Sequence, residues 1–428
     1  MSEQLAVLVS PYFPPNTLAG VHRVRHLAKH LPAAGWRPVV LCVDEAFHEQ
    51  PPDPELAALL PAGVEVVKVA ALPVRMTRAV GVGDIGLRAW PSLRRGLMGL
   101  LAARPVKIVM ITGSPYYPML LAGAAKRRFK VPVVLDFQDP WVSHWGAEQP
   151  PLSKAGFSHR LATLLEPKAL RHADFVTAVS DRQNAELAAR YPRLDASRMA
   201  GIPIGGDPDD FAALRNGPIS DRPSCLRRDV VNLSYVGTFP PRSGPLVRAL
   251  FRGFARLRRT EPRLAARVRL NFIGTGGRPG VTSPPLVRPF AEAAGVDDAI
   301  VEVTERLSYV DALRVLANST GLLLIGSDEP HYTASKIYPA LMCGRPYLSL
   351  FHRGSSAHAV LAGAGGGLAL AFDALDELAG LEAVLAEGLR ALATRPESFG
   401  VPNPAAYASD TAHSVAMRFG QIFDRIAR

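Results

Sequence analysis

The chain has 428 residues, of which 48% are hydrophobic and 20% are charged. This length exceeds what one ordinary core accommodates, so we expect two domains of about 200 residues each. The 49 basic and 38 acidic residues give a net charge of +11, which favours an anionic partner such as a phosphorylated substrate or an anionic membrane surface. The basic residues are scattered, without an aromatic platform or zinc-finger spacing, and this argues against nucleic acid as the partner.

Cysteine usage and hydropathy favour a cytoplasmic protein. Cys42, Cys225 and Cys343 lie far apart, and without CxxC or paired histidine spacing they predict neither a disulfide framework nor a zinc site. The N-terminus passes from a short polar start into a strand-like run, without the pattern of a secretory signal. The longest apolar runs are shorter than the ~20 residues of a membrane-spanning helix.

Short runs rich in Val, Ile and Leu alternate with longer segments of helical period. This alternation is typical of a parallel sheet covered by helices on both faces. In the first half of the chain the predicted strands are 5–10, 38–43, 64–70, 107–112, 132–137 and 174–180. The pattern predicts a doubly wound, Rossmann-like α/β domain over residues 1–205.

The second half repeats this organisation. Residues 206–226 are dense in Gly, Pro and Asp, and we interpret them as a linker. The predicted strands that follow are 230–237, 267–274, 299–305, 321–326 and 346–350. They predict a second Rossmann-like domain over 227–406, facing the first across a cleft, and a closing helix at 407–428 that packs back on the first domain.

The first candidate binding loop leads into a basic helix start. Gly20 permits close backbone approach to a ligand. His22 and Arg23 oppose the helix dipole, a local cost that a bound anion would offset. The alternative is a glycine chosen for the turn, followed by basic residues that face solvent.

The stretch VLDFQDPWVSHWG follows a predicted strand and holds both titratable and aromatic residues. Asp139 and His144 suit acid or base chemistry, and Trp141 and Trp145 suit a wall that stacks on a sugar. In the alternative interpretation, Asp139 forms a turn and the tryptophans belong to the core. We favour a loop-capping role for Asp136.

Two cations follow strands of the second domain. Arg242 lies at a strand-to-helix turn, and Lys336 lies beside Ser335 at a helix start. Proline is tolerated only in or near the first turn of a helix, so Pro339 places that start between Ser335 and Tyr338. Together the two cations predict a clamp for a diphosphate, although either one alone could be an ordinary surface residue.

These stretches together resemble the glycosyltransferases of GT-B fold and, within them, the large retaining family 4. The first half contributes VLVSPYFPPNTLAGVHRVRHLAKHL, VLDFQDPW, ALRHADFVTAVSD and IPIGGDPDDF. The second half contributes YVGTF, NFIGTG and SKIYPALMCGRP. The resemblance therefore covers most of the chain.

The resemblance implies a nucleotide-sugar donor held by the second domain and a sugar acceptor held by the first, with retention of anomeric configuration. The acceptor would be a lipid-linked or cell-surface glycan precursor, and neither a metal nor another cofactor is implied. The candidate catalytic residues are Asp139, His144, Arg242 and Lys336. The candidate donor-binding residues are Gly20, Gly237, Thr238, Arg242, Gly274, Glu329, His331, Ser335, Lys336 and Ile337. The acceptor-side candidates are His22, Arg23, Trp141 and Trp145.

The sequence departs from the family at one pair of positions. The family usually has two glutamates eight residues apart, the second of which binds the nucleotide ribose, where this chain has His331 and Pro339. Glu329 lies two residues before the first of these positions. The departure keeps a catalytically degenerate binding protein as an alternative. A sugar-nucleotide epimerase is a weaker alternative, because that class depends on carboxylates deep in its cleft, whereas the candidate loops of this chain are richer in cations.

Residues 75–105 hold six arginines against the single Asp84, interleaved with apolar side chains. Such a segment can lie on an anionic bilayer, with arginines at the level of the phosphates. It can equally pack on the first sheet with its arginines solvated. Enzymes of the resembled family often use lipid-linked acceptors, and this favours peripheral attachment at the inner face of the cell membrane.

Overall fold

A computed structural model describes residues 4–79, 81–216, 225–240, 242–276, 283–329 and 335–427. The chain divides into two compact units, each built around a parallel sheet. Unit 1 comprises Met1–Gly205 and Ala412–Arg428, and unit 2 comprises Gly206–Thr411. The predicted α/β class with two doubly wound sheets is confirmed.

Unit 1 has a seven-stranded sheet in the order β3-β2-β1-β4-β5-β6-β7. Its strands are β1 Gln4–Val9, β2 Trp36–Val43, β3 Glu65–Val69, β4 Val106–Gly113, β5 Val133–Phe137, β6 Phe175–Ala178 and β7 Met199–Gly201. Its helices before the second unit are α1 Val21–His30, α2 Pro54–Ala58, α3 Val74–Arg78, α4 Ile85–Arg88, α5 Trp90–Ala103, α6 Leu121–Phe129, α7 His144–Ala147, α8 Lys154–Leu170 and α9 Asp181–Arg190. The strand order reverses between β1 and β4, which makes this the point where such sheets bind ligands.

Unit 2 has a six-stranded sheet in the order β10-β9-β8-β11-β12-β13. Its strands are β8 Val231–Val236, β9 Val268–Ile273, β10 Ile300–Val303, β11 Gly321–Ile325, β12 Tyr347–His352 and β13 Gly367–Phe372. Its helices are α10 Pro208–Asn216, α11 Gly244–Thr260, α12 Pro262–Ala265, α13 Arg288–Ala293, α14 Tyr309–Asn318, α15 Ile337–Met342, α16 Ser356–Ala364 and α17 Glu382–Thr394. The order reverses between β8 and β11, so the loops after these two strands flank the corresponding crevice.

The chain ends in α18, Ala412–Ile426, which belongs to unit 1. Its Phe419 and Phe423 are fully buried in a core cluster that includes Trp36. The rings of Trp36 and Phe423 pack edge to face at 5.3 Å. The Trp36 indole N–H donates to the Asp424 carboxylate over 3.0 Å, which satisfies its one donor. Helix α18 begins at Ala412, five residues after the start predicted from the sequence.

The linker predicted at 206–226 is wrong for its first half. Residues 208–216 form α10, and Phe211 is buried in the core of unit 2 beside Leu313 and Tyr338. Residues 217–224 lie outside the described ones. The Gly, Pro and Asp composition that suggested a linker belongs to a helix start, where proline and acidic residues are favoured.

Most of the described residues within 75–105 belong to α3, α4 and α5. Ile85, Leu93 and Leu97 are buried in the core of unit 1, so the apolar side of the segment faces the sheet. Arg88 is buried as well, and its guanidinium donates to the carbonyl oxygen of Leu72 over 2.8 Å. The structure therefore favours the interpretation in which this segment packs on the first sheet. Arg88 departs from that interpretation, which expected the arginines to be solvated. Among the described residues, no helix is long and apolar enough to cross a membrane.

Candidate functional site

The carboxyl ends of β8 and β9 meet at two glycines. Gly237 and Gly274 have φ angles of 125° and 80°, in the region that favours glycine. A Cβ on Gly274 would lie 3.8 Å from Gly237 Cα, and a Cβ on Gly237 would lie 3.4 Å from Lys336 Cδ. These three candidate donor-binding residues therefore lie together.

Lys336 is the residue before the first turn of α15, within the interval that Pro339 predicts. Its ammonium lies 4.0 Å from the centroid of the Tyr235 ring and donates to the Tyr235 hydroxyl. Protein atoms crowd the ammonium although the residue as a whole keeps some exposure, and the lost hydration lowers the pKa of Lys336 to about 7. Near neutral pH this lysine is poised to gain a proton beside an anion.

Arg242 follows β8 and forms a bidentate ion pair with Asp328, which follows β11. The distances are 2.6 Å from Nε to Oδ1 and 3.0 Å from Nη2 to Oδ2. Glu329 lies 3.9 Å from the same guanidinium. Arg242 is exposed, so a phosphate can reach it by replacing Asp328.

The remaining candidates in unit 2 differ in what they offer. Ser335 is half-buried before α15, and Thr238 is exposed with its carbonyl oxygen 2.8 Å from the Tyr235 hydroxyl. The Ile337 side chain is buried in the core, so its expected place in donor binding is wrong for the side chain. His331 lies outside the described residues.

Arg23 is fully buried in unit 1, and its expected role on the acceptor side is wrong. Its Nε donates to Asp136 over 3.2 Å, Nη1 donates to the Pro203 carbonyl over 2.7 Å, and Nη2 donates to the Ile202 carbonyl over 2.5 Å. The guanidinium also lies 5.2 Å from the ring centroid of Phe419. A buried guanidinium with this set of acceptors holds α1 to the sheet.

Asp136 is buried in β5 and is not the loop cap that the sequence favoured. Its carboxylate accepts hydrogen bonds from Thr112 on β4 over 2.7 Å and from Thr177 on β6 over 2.8 Å, in addition to Arg23. His22 precedes this network at the start of α1, where it is half-buried and its ring lies 5.9 Å from that of His26.

Gly20 lies just before α1, with φ −61° and ψ −18°, which any residue adopts. A Cβ there would lie 3.6 Å from Gln138 Oε1 and from the Ser114 carbonyl oxygen, an ordinary contact distance. Neither the backbone conformation nor the protein contacts require glycine here, and the place of Gly20 in donor binding stays a prediction. The Gly20 carbonyl accepts a hydrogen bond from Gln138 Nε2 over 3.0 Å.

The loop after β5 separates the two tryptophans. Trp141 is only 8% exposed and stacks on Tyr116 at 5.5 Å, so it belongs to the core and not to an acceptor wall. Trp145 is 65% exposed and remains available to a ligand. His144 is exposed at the start of α7. Asp139 is exposed too, but neighbouring protein atoms reduce its hydration and raise its pKa to about 6.

Sequence reasoning missed Tyr235 and Asp328. Each lies at the end of a strand beside the crevice of unit 2, which is the signal that could have identified them. Asp328 follows the strand that pairs with β8, and a carboxylate there is within reach of a cation that follows β8. Tyr235 lies two residues before Gly237 and was assigned only to the strand.

Comparison with known proteins is consistent with this architecture. Residues 20–205 match a family described as the glycosyl transferase 4-like domain. D-inositol 3-phosphate glycosyltransferase of Stackebrandtia nassauensis is 29% identical over 130 residues, which cover 29% of this chain and 28% of that protein.

Two solved structures share the fold over nearly the whole chain. Sucrose-phosphate synthase from Thermosynechococcus elongatus matches with a TM-score of 0.63 at 15% identity, over 99% of each chain. Anabaena HepE in complex with UDP and glucose matches with a TM-score of 0.61 at 14% identity, over 99% of this chain and 100% of that chain. The protein therefore has the GT-B fold of glycosyltransferases. Within that fold, residues 20–205 are the part of the chain that matches the glycosyl transferase 4-like family.

The burial of Arg23 yields a stability prediction. We expect Arg23→Met to lower the free energy of unfolding by about 3–5 kcal/mol, because it leaves the buried Asp136 carboxylate without its cation. Arg37→Met, at an exposed pair with Glu65, should change it by about 1 kcal/mol or less. Denaturant unfolding measures both. Wild-type stability of Arg23→Met would contradict a structural role for Arg23.

Proposed function

We propose that this protein is a glycosyltransferase that moves a sugar from a nucleotide-sugar donor to a sugar acceptor. The observation that carries the proposal is the crowded ammonium of Lys336 beside the glycines that end β8 and β9. A diphosphate suits a cation at the carboxyl ends of such strands. Its negative charge would stabilise the ammonium form of the lysine, which has lost hydration on burial. HepE, which shares the fold, was solved with UDP and glucose, and this supports a nucleotide-linked donor.

In this proposal the two cations of unit 2 stabilise the departing nucleoside diphosphate. Lys336 lies at the glycines, and Arg242 exchanges its partner Asp328 for a phosphate oxygen when the donor binds. Fixed positive charge at the leaving group lowers the barrier, because negative charge develops there as the glycosidic bond breaks. Arg242 and Lys336 therefore remain the candidate catalytic residues of this unit.

Unit 1 would receive the acceptor at the loop after β5. His144 and Trp145 are exposed there, and the raised pKa of Asp139 makes its carboxylate a stronger base than an ordinary aspartate. We assign the removal of the acceptor hydroxyl proton to Asp139 or His144, and sugar stacking to Trp145.

We further propose retention of anomeric configuration and a lipid-linked or cell-surface glycan precursor as the acceptor. Retention is supported by the family resemblance, and the net charge of +11 supports an acceptor presented near an anionic surface. The anomeric configuration of the product, read by NMR on an isolated product, tests the first part.

The defining experiment combines binding and turnover. Calorimetry with UDP-, GDP-, ADP- and dTDP-linked sugars should reveal one preferred donor, and slow release of the nucleoside diphosphate should accompany it. Binding without release under any acceptor condition would instead identify a catalytically degenerate binding protein. Absence of binding to every nucleotide sugar would reject the proposal.

Lys336 gives donor binding a pH dependence. Its ammonium form attracts a diphosphate, and a pKa of about 7 means that this form is lost as pH rises above neutral. We expect the dissociation constant of the preferred donor to increase about tenfold per pH unit above pH 7, until the higher pKa of the complex is reached. Lys336→Arg keeps its charge throughout and should abolish this slope. The same slope in both proteins, measured by calorimetry, would exclude Lys336 from the diphosphate site.

The ion pair of Arg242 with Asp328 predicts opposite effects of its two members. We expect Arg242→Ala to lower kcat/KM by about a hundredfold or more, since it removes charge from the leaving group. Asp328→Asn should tighten donor binding, because the phosphate no longer competes with a carboxylate. Arg256→Ala, at another exposed arginine of unit 2, is the control. Steady-state kinetics near wild type for Arg242→Ala would refute its assignment.

Metal independence is a separate part of the proposal. The cations Lys336 and Arg242 would supply the positive charge that a divalent ion otherwise brings to a diphosphate. We expect initial rates of sugar transfer to be unchanged by EDTA. A strict requirement for Mg²⁺ or Mn²⁺ would overturn this part and leave the choice of donor untouched.

A further inference from the structure

One face of α8 carries exposed side chains along the length of the helix. Phe157 is 66% exposed and Leu164 is 62% exposed, and Leu152, just before the helix, is 96% exposed. Large apolar side chains are normally exposed singly, whereas these three occur within thirteen residues of one helix and the loop that leads into it.

Phe157 and Leu164 share this face with three cations, and Leu152 lies two residues before the helix. At 3.6 residues per turn, positions 157 and 164 lie one above the other, and positions 154, 160 and 168 fall within the same stripe. Lys154, Arg160 and Lys168 are exposed. We call the six residues the α8 face: Leu152, Lys154, Phe157, Arg160, Leu164 and Lys168.

The opposite side of α8 is fixed to the unit. Ala162 and Ala169 lie in the core, and Glu166, the only acidic residue of the helix, is buried and paired with Arg190 at 2.9 Å. A Cβ on Gly156 would lie 2.1 Å from the Pro150 carbonyl oxygen, so the preceding loop lies directly on the first turn. The α8 face is therefore a rigid surface, with no carboxylate contributed by its own helix.

We propose that the α8 face docks this protein on an anionic lipid bilayer. Phe157, Leu164 and Leu152 would enter the boundary between headgroups and acyl chains, while the three cations lie at the level of the lipid phosphates. The proposal concerns where the protein is held and does not depend on sugar transfer.

Charge complementarity favours a bilayer over a protein partner. The cores of protein interfaces are depleted in lysine and in charge generally, whereas the α8 face intersperses each apolar residue with a cation. No ion pair is recorded for Lys154, Arg160 or Lys168 among the contacts of the described residues. Their charge is thus available to phosphates.

The same comparison separates the α8 face from residues 75–105. There Ile85, Leu93 and Leu97 are in the core, and Met76 is the large apolar side chain that stays mostly exposed among the described residues of the segment, at 70%. The two segments therefore offer a matched pair, one with three exposed apolar residues among its cations and one with a single exposed methionine.

Co-sedimentation with phosphatidylcholine–phosphatidylglycerol vesicles tests the proposal. The triple variant Lys154→Glu, Arg160→Glu, Lys168→Glu should lower the partition coefficient about a hundredfold. The control triple variant Arg75→Glu, Arg94→Glu, Arg95→Glu changes the net charge equally and should retain most of the binding. Equal losses in the two variants would overturn the proposal, as would absence of wild-type binding.

A second pair of variants tests the apolar contribution. Phe157→Ser with Leu164→Ser should lower partitioning about tenfold, whereas Leu375→Ser with Val384→Ser, at exposed residues of unit 2, should leave it unchanged. Thermal melts check that all four variants fold. A dimeric wild type that becomes monomeric on Phe157→Ser with Leu164→Ser in sedimentation velocity would assign the face to a second copy and reject the bilayer.

Discussion

The layout of unit 1 depends on the hydrogen bonds that the buried carboxylate of Asp136 accepts. The carboxylate accepts hydrogen bonds from Thr112 on β4, Thr177 on β6 and Arg23 on α1, so a single side chain joins three strands and the first helix. An unpaired carboxylate in this position would carry a large desolvation cost, which makes all three partners necessary together. Asp139 lies three residues after Asp136, in the loop that follows β5. The network around Asp136 therefore fixes the point where this loop begins.

Unit 2 handles buried charge in the opposite way. The recorded contacts of the Lys336 ammonium, within the described part of the chain, are the ring and hydroxyl of Tyr235, and neither is an anion. The ring attracts the cation but does not neutralise it. Arg242, by contrast, is neutralised by Asp328 on an exposed surface. The contacts of Lys336 in this part of the chain thus include no anion, whereas Arg242 must give up Asp328 before it can bind a phosphate. An anionic ligand therefore has two distinct sources of binding energy.

The sequence predicted the strands well because buried parallel strands are nearly continuous runs of branched apolar residues. It missed β7, which has three residues, and β13, whose GLALAF run follows two glycines, begins with a third and lacks that signal. It located Lys336 through Pro339, a constraint that acts locally. It could not assign Arg23, because the carboxylate that buries it lies 113 residues away and an arginine in a basic helix start looks the same whether solvated or paired. The prediction that Trp141 lies on the acceptor side was wrong for a similar reason, since a tryptophan suits a core and a sugar equally well.

Unit 1 is assembled from both ends of the chain, whereas unit 2 is one continuous stretch whose ends meet where Gly206 pairs with Thr411. During translation α1 and β1 emerge early, but Val415, Phe419 and Phe423 follow only after the whole of unit 2 has been made. Until α18 has been synthesised, the apolar residues of unit 1 that it covers therefore remain exposed. The domain that comes second in the sequence is the first that can complete its core, and chaperones that bind nascent apolar surface would meet this protein through its N-terminal half.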